Sequence, residues 1–371
     1  MRLLYFVAKA EYFLSHRLDL ARYAQTSNFD VAVSTTLFQK NDTAKINGIK
    51  NFAVRFKRGS LNPFREIQTL IDLFFVFKKF RPAIIHNVAL KPSLYGALLA
   101  RFYGIPSVNS INGFGYIFTS RHLKAKLLRP LVRCALRLIL NHSTVAVMVQ
   151  NQQDYIACKA LLPKSDLYLV SGSGVDVKAF YPVKDKSAEF FTFSLVARML
   201  WTKGIKEFVN AAEEFVRDNP AQKVRFLLAG SPDTENPESI PQDILRKWAS
   251  EGVVEWLGHV DDVKSVYAQT HVAVLPSYRE GMPKSLLEAM ACGLPIITTD
   301  AIGCDEIVHS DNGIKVPIKS VEGLKKAFEK CVADKIACEV LGSRGRELAE
   351  NLYCNDVINA KIVNIYNKIL K

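Results

Sequence analysis

The 371-residue chain is longer than the roughly 250–300 residues at which a single hydrophobic core stops growing, so two domains are expected. Hydrophobic residues at 49% and charged residues at 23% exclude a disordered, collagen-like or repetitive chain. The net charge of +13 is uneven: residues 1–185 carry 26 Lys and Arg against 10 Asp and Glu, residues 186–371 carry 23 against 26. Between Asp72 and Asp154 there is no carboxylate, while eleven Lys and Arg fall there. Such a field draws a polyanion to the first half: nucleic acid, an anionic membrane surface or a phosphorylated substrate. Seven cysteines without a C-x-x-C pair suit a reducing cytosol rather than a disulfide framework or zinc site. The apolar start Leu3–Ala8 is too short for a secretory signal, and no run of about 18 apolar residues occurs, so no membrane-spanning helix is expected.

In chain order, strands are predicted over 3–7, 31–34, 84–86, 107–111, 145–149 and 167–170. A second set follows over 191–197, 224–229, 253–257, 272–276, 295–299 and 314–316, with amphipathic segments between. This alternation is the signature of α/β parallel sheets covered on both faces. Two sets of six strands suggest two doubly wound, Rossmann-like domains, 1–175 and 188–350, with loop and linker residues between. The closing stretch 351–371 is helical in pattern and is expected to return to the first domain. Ligands of such sheets sit beyond the carboxyl ends of the strands, so two domains facing across a cleft would hold the site between them.

The densest chemical signal is Leu275-Pro-Ser-Tyr-Arg-Glu-Gly-Met-Pro-Lys-Ser-Leu-Leu-Glu-Ala-Met-Ala-Cys-Gly-Leu-Pro295. A strand should end near Pro276 and a helix open at Pro283, closing at Gly293 and Pro295. The loop through Glu280, Gly281, Met282 and Pro283 then presents backbone N–H groups at a helix N-terminus, an anion site. Glu288 follows on the same helix. Two acceptors flanking a phosphate cradle suit the hydroxyls of a ribose and of a sugar; a buried helix with solvated acids gives the same pattern. A second cluster, Ala197-Arg-Met-Leu-Trp-Thr-Lys-Gly204, places Arg198 and Lys203 at a strand's carboxyl end. No Asp-x-Asp pair occurs, so no metal or other cofactor is expected and these cations would neutralise a departing diphosphate themselves. A unit charge pair at about 4 Å is worth roughly 4 kcal/mol at an effective dielectric of about 20. A helix terminus contributes about 0.3–1 kcal/mol, so the side chains should dominate.

With these residues in hand, the chain resembles the retaining glycosyltransferases of family 4, which have the GT-B fold. The likeness lies in Arg198-x4-Lys203, in Glu280-x7-Glu288 within EGMPKSLLEAMACGLPII, in GSGVD and FYP before the second half, and in LAG at 228–230 and WLGHVDDV at 256–263. The resemblance implies that Arg198 and Lys203 bind the diphosphate of a UDP-sugar donor, Glu288 the ribose and Glu280 the transferred sugar. The uracil would lie near Trp256–Val260. The first half departs from the family. No glycine loop follows its first strand, where His16 and Arg17 offer side-chain contacts instead, or cap a helix. Asn112 stands where many members carry a histidine beside the donor sugar; His86 is a substitute, or a structural histidine.

Between Thr119 and Asn141, leucines recur at helical spacing while Lys126, Arg129, Arg133 and Arg137 line another face. That pattern fits a helix lying in a membrane interface, and equally a domain helix with a solvated basic face. The apolar run Leu70–Phe80 reads as a second contact or a core helix. Relatives with similar second halves extend polyprenyl-diphosphate-linked glycans for surface polysaccharides. The resemblance therefore implies a cytoplasmic, peripherally membrane-bound enzyme that adds a hexose or N-acetylhexosamine to such an acceptor, in O-antigen or capsule synthesis. A same-fold nucleotide-sugar epimerase is one rival. A basic nucleic-acid-binding protein is another, disfavoured because no nucleic-acid motif occurs and the second half is acidic.

Overall fold

In the computed structural model, the described residues are 1–39, 44–60, 62–112, 123–183 and 189–371. They divide into two α/β units, Met1–Ser173 with Asn355–Lys371, and Gly174–Cys354. Strands of the first unit are β1 (Arg2–Val7), β2 (Asp30–Thr35), β3 (Lys50–Ala53), β4 (Ile84–Val88), β5 (Ser107–Ile111), β6 (Val145–Val149) and β7 (Asp166–Leu169). Its helices are α1 (Ala10–His16), α2 (Leu18–Thr26), α3 (Pro63–Phe80), α4 (Leu90–Phe102), α5 (Leu123–Leu140) and α6 (Gln152–Leu161). The second unit holds β8 (Phe191–Val196), β9 (Val224–Ala229), β10 (Glu255–Gly258), β11 (Val272–Leu275), β12 (Ile296–Thr299) and β13 (Gly313–Val316). Its helices are α7 (Ile205–Asp218), α8 (Gln242–Ser250), α9 (Val263–Ala268), α10 (Lys284–Ala291), α11 (Val321–Ala333) and α12 (Lys335–Leu348). The last helix, α13 (Asn355–Ile369), packs on α2 and β6 of the first unit.

Both sheets are parallel. Their orders are β3-β2-β1-β4-β5-β6-β7 and β10-β9-β8-β11-β12-β13. Strand β3 lay outside the sequence expectation because Lys50-Asn-Phe-Ala is a short edge strand with three of four residues exposed, and so lacks an apolar run. Each order reverses once, between β1 and β4 and between β8 and β11. At such a switch point the crossover helices part to opposite faces and open a crevice above the strand ends.

Strand alternation sorts the first unit into two layers. Leu3, Tyr5 and Val7 face a core built with α1, α2 and α13, whereas Leu4, Phe6 and Ile85 face α3 and α4. Because both faces are covered, β1, β2 and β6 read as largely apolar runs. The second unit packs Phe193 and Phe226 against Phe208, Phe215 and Phe328 of α7 and α11, with the Phe193 and Phe226 rings stacked at 5.2 Å. Residues 174–183 belong to this unit, where Val175 bridges to Cys354. The remainder of the expected linker, 184–188, lies outside the described residues.

One polar cluster is sealed within the first unit. His86 is fully buried; its Nδ1 lies 2.6 Å from the Tyr366 hydroxyl and its Nε2 2.7 Å from Ser110 Oγ. Tyr366 also meets the Tyr5 hydroxyl at 3.1 Å. Burial, reinforced by the positive charge of Arg17, holds the His86 pKa well below its ordinary value, so the ring is neutral. The structural reading of His86 therefore stands, and α13 is keyed to the sheet by this hydroxyl. Tyr366→Phe should cost about 1–3 kcal/mol in denaturant unfolding, the cost of stranding buried partners. Unchanged stability would mean the bridge contributes nothing.

Candidate functional site

The switch point of the second unit gathers the motif residues. After β8 the chain passes through Arg198 into a single turn, Trp201–Lys203, and then Gly204 at the start of α7. Gly204 has φ +71°, and a Cβ there would sit 2.0 Å from the Pro276 carbonyl oxygen. No other residue lets the loop after β8 lie so directly on the loop after β11. Hydrogen bonds then join the two loops: Tyr278 N donates to the Thr202 carbonyl at 2.9 Å, and Ser277 Oγ to the same oxygen at 3.1 Å. The Tyr278 hydroxyl reaches Glu207 Oε1 on α7 at 2.7 Å. Held this way, Lys203 Nζ forms an ion pair with Glu280 Oε1, the two side chains being only 18% and 13% exposed.

Arg198 stands at the same sheet edge, and its Nη1 donates to Asp233 Oδ2 at 2.5 Å. Nothing in the sequence had singled out Asp233, one of three acids in its loop with Glu235 and Glu238. Helix α10 begins at Lys284 with Pro283 as its N-cap, one residue later than expected. The helix-end anion site is also narrower than expected, because Pro283 has no N–H and the Glu280 amide is spent on the Ile302 carbonyl at 2.9 Å. Met282 packs into the core with Leu286 and Tyr267, so its backbone rather than its side chain is left for a ligand. Gly281 lies between Glu280 and Met282 in this loop. Trp256 donates its indole N–H to the Gly230 carbonyl at 2.9 Å, which fixes the start of the 256–260 stretch. Among the described residues no group of three or more His, Cys, Asp or Glu could hold a metal ion.

Glu288 lies one turn into α10 with its side chain 14% exposed and Lys284 Nζ 3.7 Å away. Burial raises its pKa above the ordinary 4.5, and the charge of Lys284 opposes that rise without cancelling it. A carboxyl whose folded-state pKa is raised costs stability as pH climbs through that value. Glu288→Gln removes the cost. Its melting temperature should exceed that of the wild type by a margin that vanishes in acid and widens toward neutral pH. A margin independent of pH would show that Glu288 ionises without penalty.

In the first unit the candidates separate. His16 stacks on Tyr12 at the end of α1, ring centroids 4.1 Å apart. Arg17 is 2% exposed, with Nη1 on the His16 carbonyl at 3.2 Å and, among the described residues, no hydrogen-bond partner for Nε. It is the residue that ends α1 and precedes α2, makes no side-chain cap bond there, and has its charge felt by the buried Tyr5, His86 and Tyr366. Asn112 donates to the Tyr12 hydroxyl at 2.7 Å. The following Gly113-Phe-Gly115 lies outside the described residues.

The opposite layer of this unit is open and apolar. On α3, Leu73, Val76, Phe77 and Phe80 are buried, while Phe64, Ile67, Ile71 and Phe75 form an exposed stripe at helical spacing. On α5, Leu136 and Leu140 are buried, whereas Leu127, Leu131 and Leu138 are about two-thirds or more exposed, at 73%, 66% and 68%. Phe102 of α4, between them, is 75% exposed. Each helix is thus both a core helix and a surface helix, the two readings occupying different faces. No helix among the described residues is long and apolar enough to cross a membrane.

Comparison with known proteins places these features in a family. Residues 191–334 match the family described as glycosyl transferases group 1, and residues 2–151 match the glycosyl transferase 4-like family. Over 339 residues the chain is 27% identical to the N,N'-diacetylbacillosaminyl-diphospho-undecaprenol alpha-1,3-N-acetylgalactosaminyltransferase of Campylobacter jejuni, covering 87% of each chain. It is 24% identical to the UDP-Gal:alpha-D-GlcNAc-diphosphoundecaprenol alpha-1,3-galactosyltransferase of Escherichia coli, covering 78% of this chain and 76% of that one. The Anabaena protein HepE, solved in complex with UDP and glucose, shares the fold with a TM-score of 0.80 at 16% identity over 99% of each chain.

Proposed function

We propose, for a chain that belongs to the family 4 glycosyltransferases with the GT-B fold, that it transfers a hexose or N-acetylhexosamine from a UDP-sugar to a polyprenyl-diphosphate-linked glycan. The reaction retains the anomeric configuration and serves the assembly of a surface polysaccharide such as O-antigen or capsule. The observation that carries this reading is the meeting of Lys203 and Glu280 at the β8/β11 switch point, with Arg198 beside them. Relatives that match most of the chain are transferases whose names specify diphosphoundecaprenol-linked acceptors.

In this reading the donor diphosphate rests against Arg198 and Lys203, Glu288 accepts from the ribose hydroxyls, and Glu280 faces the sugar being moved. Uracil lies along Trp256–Val260. As the glycosidic bond breaks, negative charge grows on the leaving phosphate. Lys203 is already anchored by Glu280 and reorganises little to meet it, which is the condition for electrostatic stabilisation to lower a barrier. The leaving phosphate takes the acceptor's proton, so attack comes from the donor face and no separate base is required. Two side-chain cations do the work of a divalent ion, and the reaction is metal-independent.

Lys203→Ala should lose about 10²–10³ of kcat, the range for removing one preorganised stabilising group. A retained rate would count against the assignment. Wild-type turnover should survive EDTA, and restoration by manganese would refute metal independence. A screen of UDP-sugars with and without a polyprenyl-diphosphate acceptor tests the reaction itself; donor consumption indifferent to the acceptor would point to an epimerase.

The exposed stripes of α3, α4 and α5 dock this enzyme on the cytoplasmic face of the membrane, where its acceptor resides. Large apolar surface beside the basic, carboxylate-free α4 and α5 fits an anionic leaflet, each cation adding about 1 kcal/mol near the surface. Vesicles of anionic lipid should sediment the protein at low salt and release it as salt rises. Leu127→Gln with Leu131→Gln should weaken sedimentation without lowering the melting temperature. Failure of the wild type to sediment would remove the docking claim.

A further inference from the structure

Arg198 and Asp233 are unequal partners. The arginine side chain is 53% exposed and the aspartate 12%, so the acid is the fixed member and the cation the one being held. The loop carrying Asp233 is fastened along the strand exit that carries Arg198. Met199 N donates to the Ser231 carbonyl at 3.0 Å, Trp201 N to Glu238 at 2.9 Å, and Ile240 N to Met199 at 2.9 Å. Inside the loop, Asn236 N donates to the Asp233 carbonyl at 2.8 Å. At its start, Gly230 has φ +141°, and a Cβ there would lie 1.8 Å from the Ala197 carbonyl oxygen. The loop therefore lies against the residue that precedes Arg198, with no room for a side chain between them.

The hydrogen bond to Asp233 engages Nη1 of Arg198, and among the described residues the Arg198 side chain makes no other hydrogen bond or ion pair. A guanidinium is a rigid planar fork of five donors. With one corner anchored, the remaining donors are left for phosphoryl oxygens, in an orientation that a free, half-exposed arginine would visit only part of the time.

We infer that Asp233 is a positioning residue for the transfer reaction: it holds Arg198 by Nη1 so that the other guanidinium donors meet the leaving diphosphate already oriented. The inference rests on the reading of Arg198 as a diphosphate-binding cation. Asp233 acts through Arg198 and does not itself touch substrate. The contrary role would be a competitor that withholds Arg198 from the phosphate.

The two roles predict opposite kinetics. Asp233→Ala removes a negative charge near the diphosphate, so UDP should bind at least as tightly as to the wild type. Loss of orientation should nonetheless lower kcat by about 10–100-fold, the range for losing a partner that orients a functional group. Asp233→Asn keeps an oxygen acceptor for Nη1, and the bond weakens only by about half when its charge is lost, so kcat should recover most of the deficit. An unchanged or raised kcat in Asp233→Ala would overturn the proposal in favour of the competitor. A joint fall of kcat, UDP affinity and melting temperature that asparagine fails to rescue would overturn it in favour of a structural brace. Arg198→Ala, measured alongside, separates the premise from the inference: if kcat and UDP affinity both survive that change, the reading of Arg198 has failed, and Asp233 falls with it.

Discussion

The site depends on the close approach of two loops that leave neighbouring parallel strands on either side of an order reversal. At the β8/β11 switch point the crossover connections diverge, which leaves the strand ends to the loops that follow them. Gly204 lets the first loop settle onto the Pro276 carbonyl, and Tyr278 and Ser277 fasten it there. Lys203 meets Glu280 as a consequence of backbone packing. Moving either loop by the width of a methyl group would break this ion pair.

Electrostatics explains why such a contact is worth building. A lysine and a glutamate this deeply covered lose much of their hydration, which offsets most of their mutual attraction. The pair therefore adds little to stability and keeps a cation fixed where water is scarce. In the proposed reading, a diphosphate carries more charge than one carboxylate and so shares Lys203 without Glu280 having to leave. Arg198 follows the same logic at a more exposed position: each cation has its own acid, Asp233 for Arg198 and Glu280 for Lys203. Glu288 completes the pattern from the other direction, a carboxyl whose burial penalises its charge unless donors reach it.

Much of this was legible in the sequence because it is written in local chemistry. Strands appear as short β-branched and aromatic runs, and glycine, proline and charged residues just beyond them mark the loops; twelve of the thirteen described strands overlap such a run. The edge strand β3 escapes because an exposed edge needs no apolar run. In the sequence Arg17 stays open between two readings for a different reason. A cation at that distance from β1 reads as reaching solvent, and only the packing of a seven-residue α1 against the sheet decides that it turns inward. Asp233 was invisible, since an acid in a polar loop carries no periodicity and gains its meaning from a hydrogen-bond ladder formed by residues far apart in sequence. The amphipathic helices were ambiguous because one period describes both a buried stripe and an exposed one.

That ambiguity is resolved by counting faces. A helix on an open sheet has one side against the strands, and the stripe through Leu136 and Leu140 of α5 fills that side. The stripe through Leu127, Leu131 and Leu138 is then surplus to folding, as are Phe64, Ile67, Ile71 and Phe75 on α3. Exposed apolar side chains scattered singly need no explanation, but helical repeats of them on neighbouring helices do. The other layer of the same sheet is the reverse case: it is closed by α13, and its polar groups are paired inside through Tyr366, His86 and Ser110. One face of the sheet thus spends its residues on internal order and the other keeps apolar and basic groups outside. The segregation makes sense if only the second layer has a surface to meet, and the absence of carboxylates between Asp72 and Asp154, which spans the last two turns of α3 and all of α4 and α5, gives that surface its sign.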